Sequence, residues 1–107
     1  MKGVYTVFTN PDSDEDKYHD WYDNVHLAEV CAIPGFVSAQ RYRRDEETVI
    51  PSGGVAYPYV AVYEIDSDDP PSVIAELRAR VHDGRIVLHK ALESDPKPRM
   101  TLWDLRS

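Results

Sequence analysis

The stretch that decides the fold of this chain runs from Tyr18 to Arg43 and reads YHDWYDNVHLAEVCAIPGFVSAQRYR. Its first half is predicted to be helical. Pro34-Gly35 then ends the helix, because proline cannot continue it and glycine tolerates the positive φ of a turn. The second half, Phe36–Arg43, is predicted to be a strand. The stretch therefore predicts a helix, a tight turn and a strand.

Patterns on both sides extend this unit into a regular order of elements. The predicted strands are Lys2–Thr9, Phe36–Arg43, Val55–Ile65 and Arg99–Arg106, and the predicted helices run from about Asp14 to Cys31 and from about Pro70 to His82. The order strand, helix, strand, strand, helix, strand is that of a split βαβ unit. We therefore expect one α+β domain over residues 1–107, ferredoxin-like, with two helices on one face of a four-stranded antiparallel sheet.

The first predicted helix has an apolar face and a flank that could carry chemistry. At 100° per residue, the face expected to pack on the sheet carries Trp21, Val25, Ala28 and Ala32. The flank of that face carries His19, Tyr22 and His26. These three side chains could line a cavity between the helix and the sheet.

The predicted strands have apolar residues on both faces. In the second strand, alternation places Phe36 and Tyr42 on one face and Ala39 and Arg41 on the other. Two helices cover only one face of such a sheet, and a domain of this length has nothing left to cover the second. Pairing with another copy would cover it, so a two-fold symmetric homodimer is expected.

Composition excludes several classes of function. The chain of 107 residues has 19 acidic and 12 basic side chains, a net charge of -7, which argues against binding to nucleic acid or anionic membranes. Its single cysteine, Cys31, cannot form an intrachain disulfide. No stretch is long and apolar enough to be a membrane span, and a cytoplasmic location is expected. Nucleotide-binding loops and Gly-x-Ser-x-Gly are absent from the sequence.

Several side chains could carry acid–base chemistry or bind a ligand. His26 could exchange a proton near neutral pH, and Tyr22 could donate a hydrogen bond to a substrate oxygen. Arg41, among apolar neighbours, needs a carboxylate or an anionic ligand. Tyr59 and Tyr63 could line a pocket for an aromatic ligand, or lie in the dimer interface. The spacing of histidines and Asp23 on the helix is weak as a metal motif, and no metal or cofactor is predicted.

The motifs of this helix, turn and strand also resemble those of a known family. WYDNVHL at 21–27, IPGF at 33–36 and Arg41-Tyr42 resemble the signature of EthD-like proteins of the dimeric α+β barrel superfamily. The resemblance covers about residues 18–43, and it implies a ferredoxin-like domain that pairs into a dimeric barrel. Members of the superfamily include cofactor-free monooxygenases, polyketide cyclases, lyases, haem proteins and muconolactone isomerase-like enzymes, so the resemblance implies the fold more sharply than the reaction.

Together these features predict a cofactor-free enzyme of the lyase, isomerase, cyclase or dehydratase type. Its substrate would be a small, mostly apolar or aromatic, oxygenated molecule. The expected catalytic residues are His26 and Tyr22. The expected substrate-binding residues are Trp21, His19, Arg41, Tyr59 and Tyr63. Two alternatives stay open: a non-catalytic ligand-binding or assembly protein, and a cofactor-free monooxygenase.

Overall fold

A computed structural model of the chain describes residues 1–11, 14–45, 56–93 and 97–106. The first helix runs without a break through three segments, α1, a π-helical turn and α2. In chain order the elements are β1 (Lys2–Thr9), α1 (Glu15–Trp21), the π turn (Tyr22–His26), α2 (Leu27–Cys31), β2 (Phe36–Arg43), β3 (Tyr59–Asp66), α3 (Pro70–His82), a short 3-10 helix (Lys90–Glu93) and β4 (Arg99–Asp104). None of the helices in these ranges is long and apolar enough to cross a membrane.

The four strands form one antiparallel sheet in the order β2-β3-β1-β4. β1 lies between β3 and β4, with Tyr5 opposite Tyr63 on one side and opposite Leu102 on the other. The helices cover one face of this sheet, where Ala61, Tyr63 and Ile65 are almost completely buried. The predicted ferredoxin-like fold is confirmed. The predicted start of the third strand at Val55 lies outside the described residues, but residues 56–58 are described and are not strand, so β3 begins later than predicted, at Tyr59. The last strand ends at Asp104, earlier than predicted.

The predicted packing face of the first helix is confirmed at Trp21, which is partly buried against the core, and is wrong at its other three positions. The residues that bury themselves against the sheet are Tyr18, Tyr22, His26 and Val30, while Val25 is 44% exposed and Ala28 and Ala32 are also exposed. These four residues are spaced four apart. In a regular α-helix that spacing rotates each side chain by about 40° relative to the one before, so the four would not stay on one face. The π turn at Tyr22–His26 contains an extra residue per turn and offsets that drift. The histidine flank is thereby rotated onto the core.

The predicted alternation of β2 is also wrong at its beginning. The register shifts between Phe36 and Ser38, which is a β-bulge. Beyond it, Ala39 pairs with Tyr63 and Arg41 pairs with Ala61. The bulge adds one residue to the strand, so Phe36 and Arg41 both lie on the helix-covered face.

The turn before β2 packs closely against α3. Gly35 has a φ of 107°, as its place after Pro34 predicted, and an added Cβ atom would lie 2.5 Å from Cγ2 of Val73. α3 begins at an N-cap, Asp69, whose carboxylate accepts a hydrogen bond from the backbone N–H of Ser72. Its predicted apolar face packs on the core through Ile74, Leu77 and Val81.

The other face of the sheet is open in the single chain. By strand register it carries Val4, Thr6, Val60, Val62, Tyr42 and Trp103. Tyr42 and Trp103 are each about half exposed, at 52% and 53%. The indole N–H of Trp103 donates to the hydroxyl of Thr6 across this face, at 2.9 Å.

Candidate functional site

A cavity of about 470 Å³ lies between α3, the first helix and the β1–β4 edge of the sheet. Its walls are mainly apolar and include Val7, Val30, Leu77, Val81, Leu88, Leu92, Pro98 and Met100. Its polar lining residues are Tyr5, His26, Tyr63, Arg78, His82 and Lys97. An apolar chamber with a few convergent polar groups is typical of sites for small molecules.

His26 is held rigidly at the inner wall of this cavity. Only 6% of the residue is exposed, and its ring stacks on Trp21 with centroids 4.5 Å apart and an interplanar angle of 18°. Tyr22 meets the same ring edge-on at 5.3 Å. Burial disfavours the charged imidazolium and lowers the pKa of His26 to about 4. The imidazole is therefore neutral at physiological pH.

Glu29 stands behind His26, one helical turn further along. Its Oε1 atom lies 3.7 Å from Nδ1 of His26, and both atoms are buried without a hydrogen-bond partner. Burial raises the pKa of the Glu29 carboxyl. A sequence-based search for His and Glu at i and i+3 could have found this pair, since that spacing places two side chains on one side of a helix.

Tyr63 supplies a second buried polar group to the cavity. The residue is 1% exposed, and its hydroxyl has no hydrogen-bond partner. Tyr22, fully buried beside it, also has an unpartnered hydroxyl. The two hydroxyls are near enough to influence each other's pKa, but their geometry is not that of a hydrogen bond. Burial is the main cause that raises the pKa of both tyrosines, so each hydroxyl stays protonated and can act only as a hydrogen-bond donor or acceptor.

Arg41 belongs to a separate polar cluster near the start of the first helix. Its side chain is 9% exposed, and Nη1 donates to Oδ1 of Asp23 at 2.9 Å and to Nδ1 of His19 at 3.0 Å. The guanidinium lies over the ring of Tyr22 at 4.3 Å, with Tyr59 beside it at 5.4 Å. The residues of this cluster do not line the cavity.

His19 and Tyr59 complete this polar cluster through Glu15. Because Nδ1 of His19 accepts from Arg41, its Nε2–H is the atom that faces Glu15, at 3.3 Å. The hydroxyl of Tyr59 donates to the same Glu15 oxygen at 2.6 Å. These contacts tie the first helix to β2 and β3.

The structure therefore divides the predicted site residues between two places. His26 and Tyr63 line the cavity, while Trp21 and Tyr22 pack directly behind the His26 ring. His19, Arg41 and Tyr59 lie in the polar cluster. Arg78 and Lys97 line the cavity without having been expected there, because no local pattern relates them to the first helix.

A second, larger cleft has fewer side chains that could act in catalysis. It measures about 590 Å³ and lies at one end of the sheet, near Val37 and Trp103. Neither histidine nor tyrosine lines it, so the candidate site is the cavity at His26. Within the described ranges, no three His, Cys, Asp or Glu side chains are grouped as metal ligands.

Comparisons with known proteins place this fold. No family model matches the sequence, and no curated protein matches it either. Among the solved structures that match are two that cover nearly all of the chain. One is a "putative monooxygenase" from Shewanella loihica PV-4, with a TM-score of 0.64, 13% identity and coverage of 100% of this chain and 96% of that one. The other is an ethyl tert-butyl ether D (EthD) family protein from Bacillus halodurans C-125, with a TM-score of 0.65, 13% identity and coverage of 99% and 100%.

The chain is thus an α+β protein of the ferredoxin-like class. More narrowly, it has the fold of the EthD family structure, as the motifs between Tyr18 and Arg43 implied. At 13% identity the likeness establishes the fold alone, so the activity has to be argued from the cavity.

Proposed function

We propose that this protein is a cofactor-free enzyme that moves protons on a small, largely apolar, oxygenated substrate. The reaction would be of the lyase, isomerase, cyclase or dehydratase type. One observation carries the proposal. His26 and Tyr63, both buried and both with an unpartnered polar atom, line the same apolar cavity. Unsatisfied buried polar groups cost free energy. A bound substrate would satisfy the Tyr63 hydroxyl, and Glu29, 3.7 Å from Nδ1 of His26, could satisfy that nitrogen and leave Nε2 for the substrate.

His26 is the proposed base. Its neutral imidazole can accept a proton from a carbon next to a carbonyl group, with Nδ1–H directed at Glu29 and Nε2 directed at the substrate. A base works best when its pKa lies near the working pH, and burial alone leaves His26 below that range. Movement of Glu29 from 3.7 Å to hydrogen-bond distance would stabilise the imidazolium and raise its pKa. Glu29 would act as a positioning residue.

Tyr63 is the proposed donor to the oxygen on which negative charge develops. Its hydroxyl stays protonated because burial raises its pKa, so it can stabilise an enolate without losing its own proton. Tyr22 has no hydrogen bond to Tyr63 and instead packs edge-on against the His26 ring. The expected catalytic role of Tyr22 is thus indirect. Trp21 would fix the plane of the His26 ring by stacking.

We further infer a homodimer that pairs through the open face of the sheet. The half-exposed side chains of Tyr42 and Trp103 and the valines between them form an apolar surface on β2, β3, β1 and β4. A second copy would cover it with the same surface in a two-fold arrangement. The cavity lies on the other face of the sheet and stays accessible in such a dimer.

The acid–base proposal can be tested before the substrate is known. Abstraction of a carbon-bound proton exchanges it with solvent, so the wild-type protein should accelerate deuterium uptake from D₂O into some members of a panel of small β-keto esters, cyclic ketones and keto acids, followed by NMR. His26→Gln should lose about 100-fold or more of that acceleration. Ala28→Gln, which places the same side chain at an exposed position of α2, should keep it. Equal exchange by folded His26→Gln protein would overturn the proposal.

A ligand-binding protein without catalysis is the second candidate. The low pKa of His26 favours it, since a fully buried neutral imidazole is a weaker base than an exposed one. The two functions differ in one observable. A binding protein would retain an apolar molecule unchanged, with no deuterium uptake at any position.

A cofactor-free monooxygenase is the third candidate, and the name of the Shewanella loihica structure favours it. It predicts oxygen consumption with a quinol-type substrate. An oxygen electrode distinguishes it from both other candidates, because neither proton transfer nor binding consumes oxygen.

A further inference from the structure

The basic residues of the cavity stand out against the acidity of the whole chain. The sequence has 19 acidic and 12 basic side chains, yet the lining of the cavity has Arg78, His82 and Lys97 and no carboxylate among the described residues. Glu29 lies behind His26 and does not line the cavity. The cavity therefore offers positive charge next to an apolar chamber.

Arg78 differs from its two neighbours Arg80 and Arg85, which are both held by carboxylates. Arg80, on the same helix, is held by Glu76 at 2.9 Å, and Arg85 is held by Asp83 at 2.7 Å. No described carboxylate lies within 4.0 Å of the guanidinium of Arg78. Arg78 is exposed where it lines the cavity, and its charge partly offsets the rise that burial causes in the pKa of Tyr5.

Lys97 is brought to the same cavity by a separate contact. The hydroxyl of Tyr57, a buried residue, donates to the backbone carbonyl oxygen of Lys97 and fixes the chain there, just before β4. No described carboxylate pairs with the Lys97 ammonium group either. His82 is the third basic lining residue. Asp83 lies beside it, and the carboxylate partly offsets any positive charge on the imidazole. Among the described residues that line the cavity, Arg78 and Lys97 are therefore the cations whose charge no carboxylate offsets.

We propose that the cavity binds a molecule with an apolar body and one carboxylate, with the carboxylate held by Arg78 and Lys97 and the body directed toward His26 and Tyr63. This assignment rests on the proposed function and names its substrate class. Arginine holds a carboxylate through paired, charge-assisted N–H···O bonds, and the apolar walls exclude water from the rest of the ligand. The reacting carbon would lie near the imidazole, at the end of the molecule away from the carboxylate.

Matched pairs of probes test the charge preference directly. Phenylacetate, 3-phenylpropionate and hexanoate would each be compared with the corresponding amide, by calorimetry or NMR titration at pH 7.5 and low salt. At least one acid should bind about tenfold more tightly than its amide. If no acid of the set binds more tightly than its amide, the proposal is overturned.

Variants of two arginines on α3 locate the effect. Arg78→Gln should abolish the preference for the acid and Arg78→Lys should keep part of it. Arg80→Gln removes the same charge outside the cavity lining and should leave the preference intact. A preference that survives in the Arg78→Gln, Lys97→Gln double variant, or that falls equally in Arg80→Gln, would contradict the assignment.

The outcome is separable from that of the proposed function. Preference for acids without any deuterium uptake would support the carboxylate site and reject the acid–base chemistry. Deuterium uptake that depends on His26 but treats keto acids and their esters alike would support the chemistry and reject the carboxylate site.

Discussion

His26 is the residue on which the proposed chemistry depends, because it combines burial with an unpartnered ring nitrogen. Trp21 and Tyr22 fix the ring on two sides, and Glu29 is near enough to pair with it after a small movement. A purely structural histidine would usually have its nitrogens satisfied by protein groups. The unpartnered Nδ1 atom of His26 faces the unpartnered Oε1 atom of Glu29, so this pair can close when a proton moves to the imidazole.

The buried imidazole also makes the stability of the protein depend on pH. The pKa of His26 is about 4 when folded, below the ordinary value of about 6.5, so the unfolded chain binds a proton that the folded chain does not. The stabilisation is complete above about pH 6.5 and is lost as the pH falls toward 4, by about 3 kcal/mol. Urea unfolding of the wild type and His26→Gln across this range measures it. The curve of His26→Gln should be flatter, that of Ala28→Gln should match the wild type, and parallel curves for all three would refute the assignment.

At the scale of the element, two irregularities explain where sequence patterns failed. The strands and helices follow from alternation, from Pro34-Gly35 and from Asp69, all of which are local. The π turn at Tyr22–His26 and the bulge after Phe36 each add one residue to an ideal repeat. Positions beyond such an insertion are turned away from where a regular period places them, so the burial of His26 and Arg41 could not be read from regular periods.

At the same scale, the turn at Gly35 packs directly against Val73 of α3. Gly35→Ala should lower the free energy of unfolding by about 2–4 kcal/mol, because the residue keeps a positive φ and its new methyl group would meet Val73 at 2.5 Å. Gly84→Ala is the matched control, with a φ of 86° and no atom within 4 Å of the added Cβ. Gly84→Ala should lower the free energy of unfolding only by the cost of a positive φ, about 1–2 kcal/mol. Equal losses in denaturant unfolding of the two variants would show that the contact with Val73 costs nothing.

At the scale of the whole molecule, the cavity is assembled from parts that are distant in the sequence. The first helix contributes His26, β3 contributes Tyr63 and α3 contributes Arg78, while Lys97 precedes the last strand. Sequence motifs could single out His26, since it lies in a recognisable stretch. Nothing local relates Arg78 or Lys97 to it, because their common environment exists only after the chain has folded.

The open face of the sheet leads to a prediction about assembly. The wild-type protein should have a mass in solution of twice the 12.2 kDa chain, since pairing would cover an apolar surface that is half exposed in the monomer. Val62→Arg places a charge at the middle of this face and should give monomers. Val87→Arg, at a valine that is 70% exposed outside the sheet, should not. Light scattering after size exclusion measures the masses, and a monomeric wild type would rule out the dimer.

The most direct test of the account is an NMR titration of the His26 imidazole, with its signals assigned by their loss in His26→Gln. We expect a midpoint near pH 4 in the free protein, and a change in both chemical shift and midpoint when a cavity ligand such as phenylacetate is added. A midpoint near the ordinary value of about 6.5, unaffected by every ligand that the protein binds, would contradict it.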